Sequence, residues 1–364
     1  MDTSGRKGSD MNIFSLFTLC GGLAFFLYGM TVMSKSLEKM AGGKLERLLK
    51  RMTSNPIKSL LLGAGITIAI QSSSAMTVML VGLVNSGVME IGQTIGIIMG
   101  SNIGTTLTAW LLSLTGIESS NVFLTMLKPS TFSPILALIG IVLYMFCKSE
   151  KKKELGAILL GFSTLMFGME AMSGAVAPLE SDPAFTGVFT MFSNPILGVL
   201  VGMILTAIIQ SSSASVGILQ ALSATGAISV GAAFPIILGQ NIGTCVTALI
   251  SCVGTNKNAK RAAVVHLMFN VIGVAVLLTV FCIVKAIFAP VLLNNAASMA
   301  GIAVAHSVFN ILCTAILLPC GDLLEKLAIR LVPDKAHAAD KTVELDQRLL
   351  TTPAVALERC RVVT

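Results

Sequence analysis

Gln71-Ser72-Ser73-Ser74-Ala75 returns as Gln210-Ser211-Ser212-Ser213-Ala214, and Gly100-Ser101-Asn102-Ile103-Gly104-Thr105 returns as Gly239-Gln240-Asn241-Ile242-Gly243-Thr244. Both recurrences have the same offset, 210 − 71 and 239 − 100, of 139 residues. At that offset Gly29-Met30 also pairs with Gly168-Met169, and Met33-Ser34 with Met172-Ser173. Ser54-Asn55-Pro56 pairs with Ser193-Asn194-Pro195, Gly63 with Gly202, and Thr108-Ala109 with Thr247-Ala248. A single ungapped register over such a length reads as a duplication.

Composition says where the two copies live. Of 364 residues, 54% are hydrophobic and 12% charged, and the mean hydropathy is +0.86. A soluble domain carries about 25% charged residues, so the bulk of this chain faces lipid. Apolar stretches recur from Ile13 almost to Pro319, which means many spans. The stretch from Met11 to Met33 lacks an A-x-A cleavage site and reads as a first helix rather than a signal peptide. The net charge of +7 sits between apolar stretches, as the positive-inside rule requires, and does not suggest nucleic acid. The cysteines have no metal-ligand spacing and read as small hydrophobes.

Charge also orients the copies. Lys35, Lys39, Lys44, Arg47, Lys50, Arg51 and Lys58 occupy 35–58, whereas 174–197 has no Lys or Arg and carries Glu180 and Asp182. Further on, 116–122 has no basic residue, but 255–261 holds Lys257, Lys260 and Arg261. Opposite bias in equivalent loops places them on opposite sides of the membrane, so the repeats are inverted. The expected fold is an all-α membrane protein with two inverted-topology repeats, re-entrant helical hairpins and interrupted transmembrane helices.

The first repeat, 1–150, would contain helix 1, a hairpin at 57–87, a helix at 91–115 broken at Ser101-Asn102, and a helix at 132–147. The second, 151–330, would cross at 155–172, dip as a hairpin at 196–226, cross at 228–254, and add helices near 262–288 and 298–320. Residues 57–70 would reach only about 21 Å, short of the roughly 30 Å hydrocarbon core, which favours re-entry. The N-terminus is expected outside and the C-terminus in the cytoplasm, across the plasma (inner) membrane. The stretch from Ser36 to Met52 reads as an amphipathic helix on the cytoplasmic face.

Polar clusters within apolar hairpins belong where backbone lines a cavity. Half-helix N-termini would offer N–H groups to an anion and C-termini carbonyls to a cation. Glycines 100, 104, 239 and 243 would permit close approach and turning. No Asp, Glu, Lys, Arg or His occurs from Pro195 to Thr255, and Glu90 and Glu118 are the only charges from Ser59 to Leu127. A neutral, oxygen-rich centre suits Na+ and an oxyanion better than a proton relay. Gly29 and Gly168 read as close-packing positions, and the His-x-x-Phe-Asn pair at His266 and His306 as interhelical packing. Glu170, which aligns with Thr31, reads as interfacial. No nucleophile has a nearby base, so no enzyme is expected.

Paired Gln-Ser-Ser-Ser motifs, each followed by Gly-x-Asn-Ile-Gly-Thr, resemble the type II sodium-dependent phosphate cotransporter family and its bacterial members over about residues 12–330. The resemblance implies symport of inorganic phosphate with Na+ as the co-transported ion, by alternating access, and no organic cofactor. Carried over by motif position, Ser72, Ser73, Ser74, Asn102, Ser211, Ser212, Ser213 and Asn241 would bind phosphate. Gln71, Thr105, Thr106, Gln210 and Thr244 would bind Na+. Cys245 stands where the first copy has Thr106, which breaks the symmetry by one hydroxyl. The resemblance allows a homodimer. It also implies that the tail at 331–364, with Leu345 to Arg361, opens a cytoplasmic PhoU-like domain that is then cut short. The same motifs fit a carrier of another oxyanion or a phosphate exporter, and a phosphate sensor or scaffold without turnover.

Overall fold

The computed structural model of the chain describes residues 13–42, 49, 55–116, 126, 128–178, 194–288 and 291–333, and every regular element among them is helical. The α-helices are α1 (Ile13–Ala41), α2 (Pro56–Ile70), α3 (Ser73–Asn85), α4 (Ile91–Ser113), α5 (Pro129–Phe146) and α6 (Glu150–Val176). They continue as α7 (Pro195–Ile209), α8 (Ser212–Ser223), α9 (Val230–Ser251), α10 (Lys257–Phe288), α11 (Met299–Leu317) and α12 (Gly321–Leu331). Among the described residues, six helical stretches are long and apolar enough to cross a membrane. Large apolar side chains such as Phe14, Phe17, Phe25 and Tyr28 on α1 point outward, away from protein. The chain is an all-α, multi-pass membrane protein.

The hairpin arms start where local chemistry dictates. Asn55 caps α2 by accepting from the Ile57 and Lys58 amides at 2.9 and 3.3 Å, with Pro56 in the first turn. Asn194 repeats the device on α7, accepting from the Ile196 amide at 3.0 Å beside Pro195. Such caps satisfy donors that a helix start otherwise leaves open. Each arm has 15 residues, about 22 Å of helix, too short to span the hydrocarbon core.

Glycine sets the packing. α1 and α6 lie antiparallel with Gly22 against Gly168 and Met172, and Gly29 against Gly161 and Leu165. A methyl added at Gly161 would stand 2.7 Å from the Met33 amide nitrogen, and one at Gly22 2.9 Å from that of Met172. The 139-residue shift exchanges these contacts, turning the pair Gly22 and Gly168 into the pair Gly161 and Gly29. Equivalent helices therefore meet through the same surface while running in opposite directions. Gly29 and Gly168 are close-packing positions, as their sequence context suggests.

α2 lies against α4, and α7 against α9, in one shared pattern. A methyl on Gly104 would sit 2.7 Å from the Ala64 carbonyl, and one on Gly243 2.5 Å from that of Met203. Gly100 and Gly239 press on the carbonyls of Leu60 and Val199. Residues 64 and 203, and 60 and 199, are again 139 apart.

These contacts correct one expectation. α4 runs unbroken through Ser101-Asn102, and α9 through Gln240-Asn241. The glycines serve close approach and not a turn, and the polar side chains between them leave the helices sideways. Ser101 Oγ accepts from Thr67 Oγ1 at 2.7 Å, and Asn102 Nδ2 donates to Asn270 Oδ1 at 3.1 Å. Gln240 Nε2 donates to the Ser215 carbonyl at 3.0 Å. Polar groups satisfied by neighbouring helices need no break in the backbone ladder.

The amphipathic stretch is also redrawn at its start. Ser36 to Ala41 form the last turns of α1, and most of the stretch from 43 to 52 lies outside the described residues. Glu118, Glu180, Asp182 and the tail from 334 onward lie outside them too. Near the basic end of the molecule, Lys39 of α1 meets Glu154 of α6 at 2.9 Å.

Candidate functional site

Two turns of sequence make the centre. Gln71 and Gln210 end α2 and α7 in left-handed conformation, at φ 53° and 58°, and they are the only non-glycine residues with positive φ among the described residues. That geometry stops each helix after 15 residues and lets the next one start two residues later. Ser72 caps α3 by accepting from the Ala75 amide at 3.1 Å, and Ser211 caps α8 by accepting from the Ala214 amide at 3.2 Å. The amides of Ser73 and Ser74, and of Ser212 and Ser213, are first-turn donors without an intrahelical acceptor.

Both turns face one cavity of about 340 Å³, lined by Gln71 to Ala75 and by Ile209 to Ser213. Met30, Thr31, Ser34, Lys35 and Glu38 of α1 complete its wall. Since Lys39 one residue further on pairs with Glu154 beside the 148–153 lysines, the cavity runs from the turns toward the basic end. The two turns touch each other. Ser74 Oγ donates to the Gln210 carbonyl at 3.3 Å, and Ser211 Oγ reaches Met30 Sδ at 3.9 Å. Ser73, Ser212 and Ser213 are buried, and their hydroxyls have no hydrogen-bond partner among the described residues. They are open to a ligand.

Around the two glutamines lie hydroxyl and carbonyl oxygens. Thr108 Oγ1 donates to Gln71 Oε1 at 2.9 Å while Gln71 Nε2 donates to the Ile68 carbonyl at 2.7 Å, which fixes the amide orientation. Ser34 Oγ donates to the Gln71 carbonyl at 3.3 Å. In the second copy Thr247 Oγ1 approaches the Gln210 carbonyl at 3.5 Å. Hydroxyl and carbonyl oxygens at converging half-helix ends are hard ligands, suited to a small cation.

The structure thus brings together eight of the expected residues, Gln71 to Ser74 and Gln210 to Ser213. It does not bring the others into the same cavity. Asn102, Thr105, Asn241 and Thr244 are buried in α4 and α9. Thr105, Thr106 and Thr244 hydroxyls bond carbonyls of their own helices, and Asn241 Nδ2 bonds that of Ile237. Asn102 belongs to a separate seam, where Asn270 Nδ2 lies 3.3 Å from Cys245 Sγ and Asn270 Oδ1 takes the Asn102 amide. That seam joins the second motif of both copies through the Asn of His-x-x-Phe-Asn.

Five cavity residues on α1 are not singled out as ligands by the sequence. Ser34 carries a signal, because Met33-Ser34 recurs as Met172-Ser173. Lys35 is hidden among basic residues explained by topology, and Glu38 lies in the same stretch.

At the other end of the bundle a second cavity of about 540 Å³ includes Ser113, Lys128, Glu170 and Ser223. Protein separates the two. The ring of Phe26, fully buried, packs on Gly217 and Leu112. Gln220 Nε2 donates to the Ala109 and Met299 carbonyls, each at 2.9 Å, tying α8 to α4 and α11.

A family model described as Na+/Pi-cotransporter matches residues 25–174 and again 175–312. Uncharacterized protein YqeW of Bacillus subtilis (strain 168) is 32% identical over 314 residues, covering 86% of this chain and 97% of that protein. "Putative inorganic phosphate export protein YjbB" of Escherichia coli (strain K12) is 23% identical over 346 residues, covering 94% of this chain but 61% of that protein. Human sodium-dependent phosphate transport protein 2B is 41% identical over 97 residues, 25% of this chain and 14% of that protein. No solved structure matches the chain.

Proposed function

This chain belongs to the Na+/Pi-cotransporter family, and from that premise we propose that it carries inorganic phosphate together with Na+ through the cavity between the two Gln-Ser-Ser-Ser turns. One observation carries the reading. The N-termini of α3 and α8, from opposite halves of the chain, meet in one cavity with first-turn amides and three serine hydroxyls that have no partner among the described residues. Helix starts favour an anion, and hydroxyl donors can surround a tetrahedral one without fixed positive charge. Gln71, Gln210 and the carbonyls that end α2 and α7 would take Na+, whose charge offsets that of phosphate. Binding one substrate to both halves suits alternating access, since rocking one half against the other exposes the same site to each side.

A specific observation favours the outward direction as a second reading. The α1 wall of the cavity runs from Met30 to Glu38, toward the basic end, and includes Lys35 beside Glu38. A cation there would raise the local phosphate concentration, which serves loading from the cytoplasm if the basic end is cytoplasmic, as the positive-inside rule expects. The name of the E. coli relative speaks of export.

The test is phosphate flux in proteoliposomes of the purified chain. Uptake of labelled phosphate is followed with an inward Na+ gradient, with K+ in its place, and with a proton gradient alone, and then with the Na+ gradient reversed. Flux that needs Na+ and follows its gradient establishes coupled symport. Phosphate binding without flux in tight vesicles would instead leave a sensor.

A further inference from the structure

The second cavity is built from the equivalent face of the equivalent helix. Residues 31, 34, 35 and 38 line the first cavity on α1; at the 139-residue shift these become Glu170, Ser173, Gly174 and Ala177 on α6 and its C-cap, and all four line the second. Three of the exchanges change the residue, Lys35 and Glu38 becoming Gly174 and Ala177 and Thr31 becoming Glu170, while the serine is kept with different contacts. Thr31 spends its hydroxyl on the Leu27 carbonyl at 2.7 Å, whereas its counterpart is the carboxylate of Glu170. Ser34 donates to the Gln71 carbonyl, whereas Ser173 Oγ is buried with no hydrogen-bond partner among the described residues.

Depth makes the carboxylate notable. α6 has 27 residues and Glu170 lies seven past its midpoint, about 10 Å along the axis; with that midpoint at the bilayer centre it would fall inside the roughly 15 Å half-thickness of the hydrocarbon. An ionisable group at that depth is retained where it faces a wet cavity and meets a partner. No ion pair among the described residues includes Glu170, and Lys128, which lines the same cavity, is not within ion-pair distance of it.

We propose that Glu170 and Ser173 form a loading site for Na+ in the second cavity, one stage before the Gln-Ser-Ser-Ser centre. This rests on the carrier reading above. The carboxylate supplies the charge, and the Ser173 oxygen supplies a neutral ligand one turn further along α6. Once the Phe26 and Gln220 barrier opens, Ser173 stands to the Gln210 carbonyl as Ser34 now stands to that of Gln71. The ion then passes from Glu170 to the end of α7.

Two measurements on the full chain test it. In proteoliposomes with equal Na+ on both faces, phosphate exchange is recorded against Na+ concentration; in detergent, binding of radioactive Na+ is titrated directly. Glu170→Gln should raise half-saturation for Na+ by about three- to fivefold, the range of an exposed charge contact. The phosphate KM at saturating Na+ should not change. Ser173→Ala should move the same quantity in the same direction, and Glu170→Asp should restore most of the loss. Unchanged Na+ half-saturation in both Glu170→Gln and Ser173→Ala would overturn the proposal. So would an effect of Glu170→Gln on the pH dependence of exchange alone, which would mark a proton group. If the wild type exchanges no phosphate with Na+, the carrier reading fails, and the direct Na+ titration still reads this site by itself.

Discussion

Ser212→Ala removes the hydroxyl of a residue that is 5% exposed; it stands in the first turn of α8 and has no hydrogen-bond partner among the described residues. If phosphate is its partner, the variant loses one hydrogen bond to a charged acceptor, about 1.5–3 kcal/mol. That corresponds to roughly a 10- to 100-fold weaker phosphate affinity. Ser73→Ala, at the equivalent place on α3, should cost the same, because the two N-termini enter one cavity. Ser211→Ala differs in kind. Its hydroxyl holds the Ala214 amide at 3.2 Å, so the loss is about 1 kcal/mol of helix capping and falls on stability more than on affinity. The assay is phosphate concentration dependence at saturating Na+, with membrane levels matched and Thr279→Ala as a control, since Thr279 is exposed on α10. Wild-type affinity in both Ser73→Ala and Ser212→Ala would refute the assignment of the anion to the helix starts.

Thr108→Val removes the donor that orients Gln71; a neutral hydrogen bond is worth about 1 kcal/mol, so Na+ half-saturation should rise about fivefold in the same flux assay. Gly100→Leu should abolish accumulation of folded protein, because even a methyl there meets the Leu60 carbonyl; Gly65→Ala, with nothing within 4 Å, should be neutral or slightly stabilising, as thermal melting in detergent would show. Asn270→Leu leaves the Asn102 amide and Cys245 in a buried seam without their partner. It should cost about 1–3 kcal/mol of stability, visible as a lower melting temperature, with phosphate affinity retained in the protein that remains folded.

The parts legible in the sequence are those that local chemistry decides. Asn-Pro starts α2 and α7, and the Gln-Ser-Ser-Ser turns separate them from α3 and α8. All four lie where the repeat register places them. The second motif reads as a break because Ser, Asn and Gln inside an apolar stretch look like exposed backbone. Their partners, Thr67, Asn270 and the Ser215 carbonyl, lie 34, 168 and 25 residues away. Nothing near residue 101 announces them. Lys35 and Glu38 escape for a different reason. A charge beside a membrane loop already has an explanation in topology, and only the fold shows that these two also face the cavity.

The glycine contact of α1 with α6 has a consequence for ancestry. Because the shift of register maps that contact onto itself, each half carries a surface that is its own complement, as an isologous interface between two subunits would be. A half-length chain able to insert in both orientations would have possessed the joint before any gene fusion. Two copies, one upside down, would have met through Gly22 and Gly29 and their counterparts. Fusion would then have fixed one copy each way up, an orientation that the differing lysines and arginines of the two halves would mark.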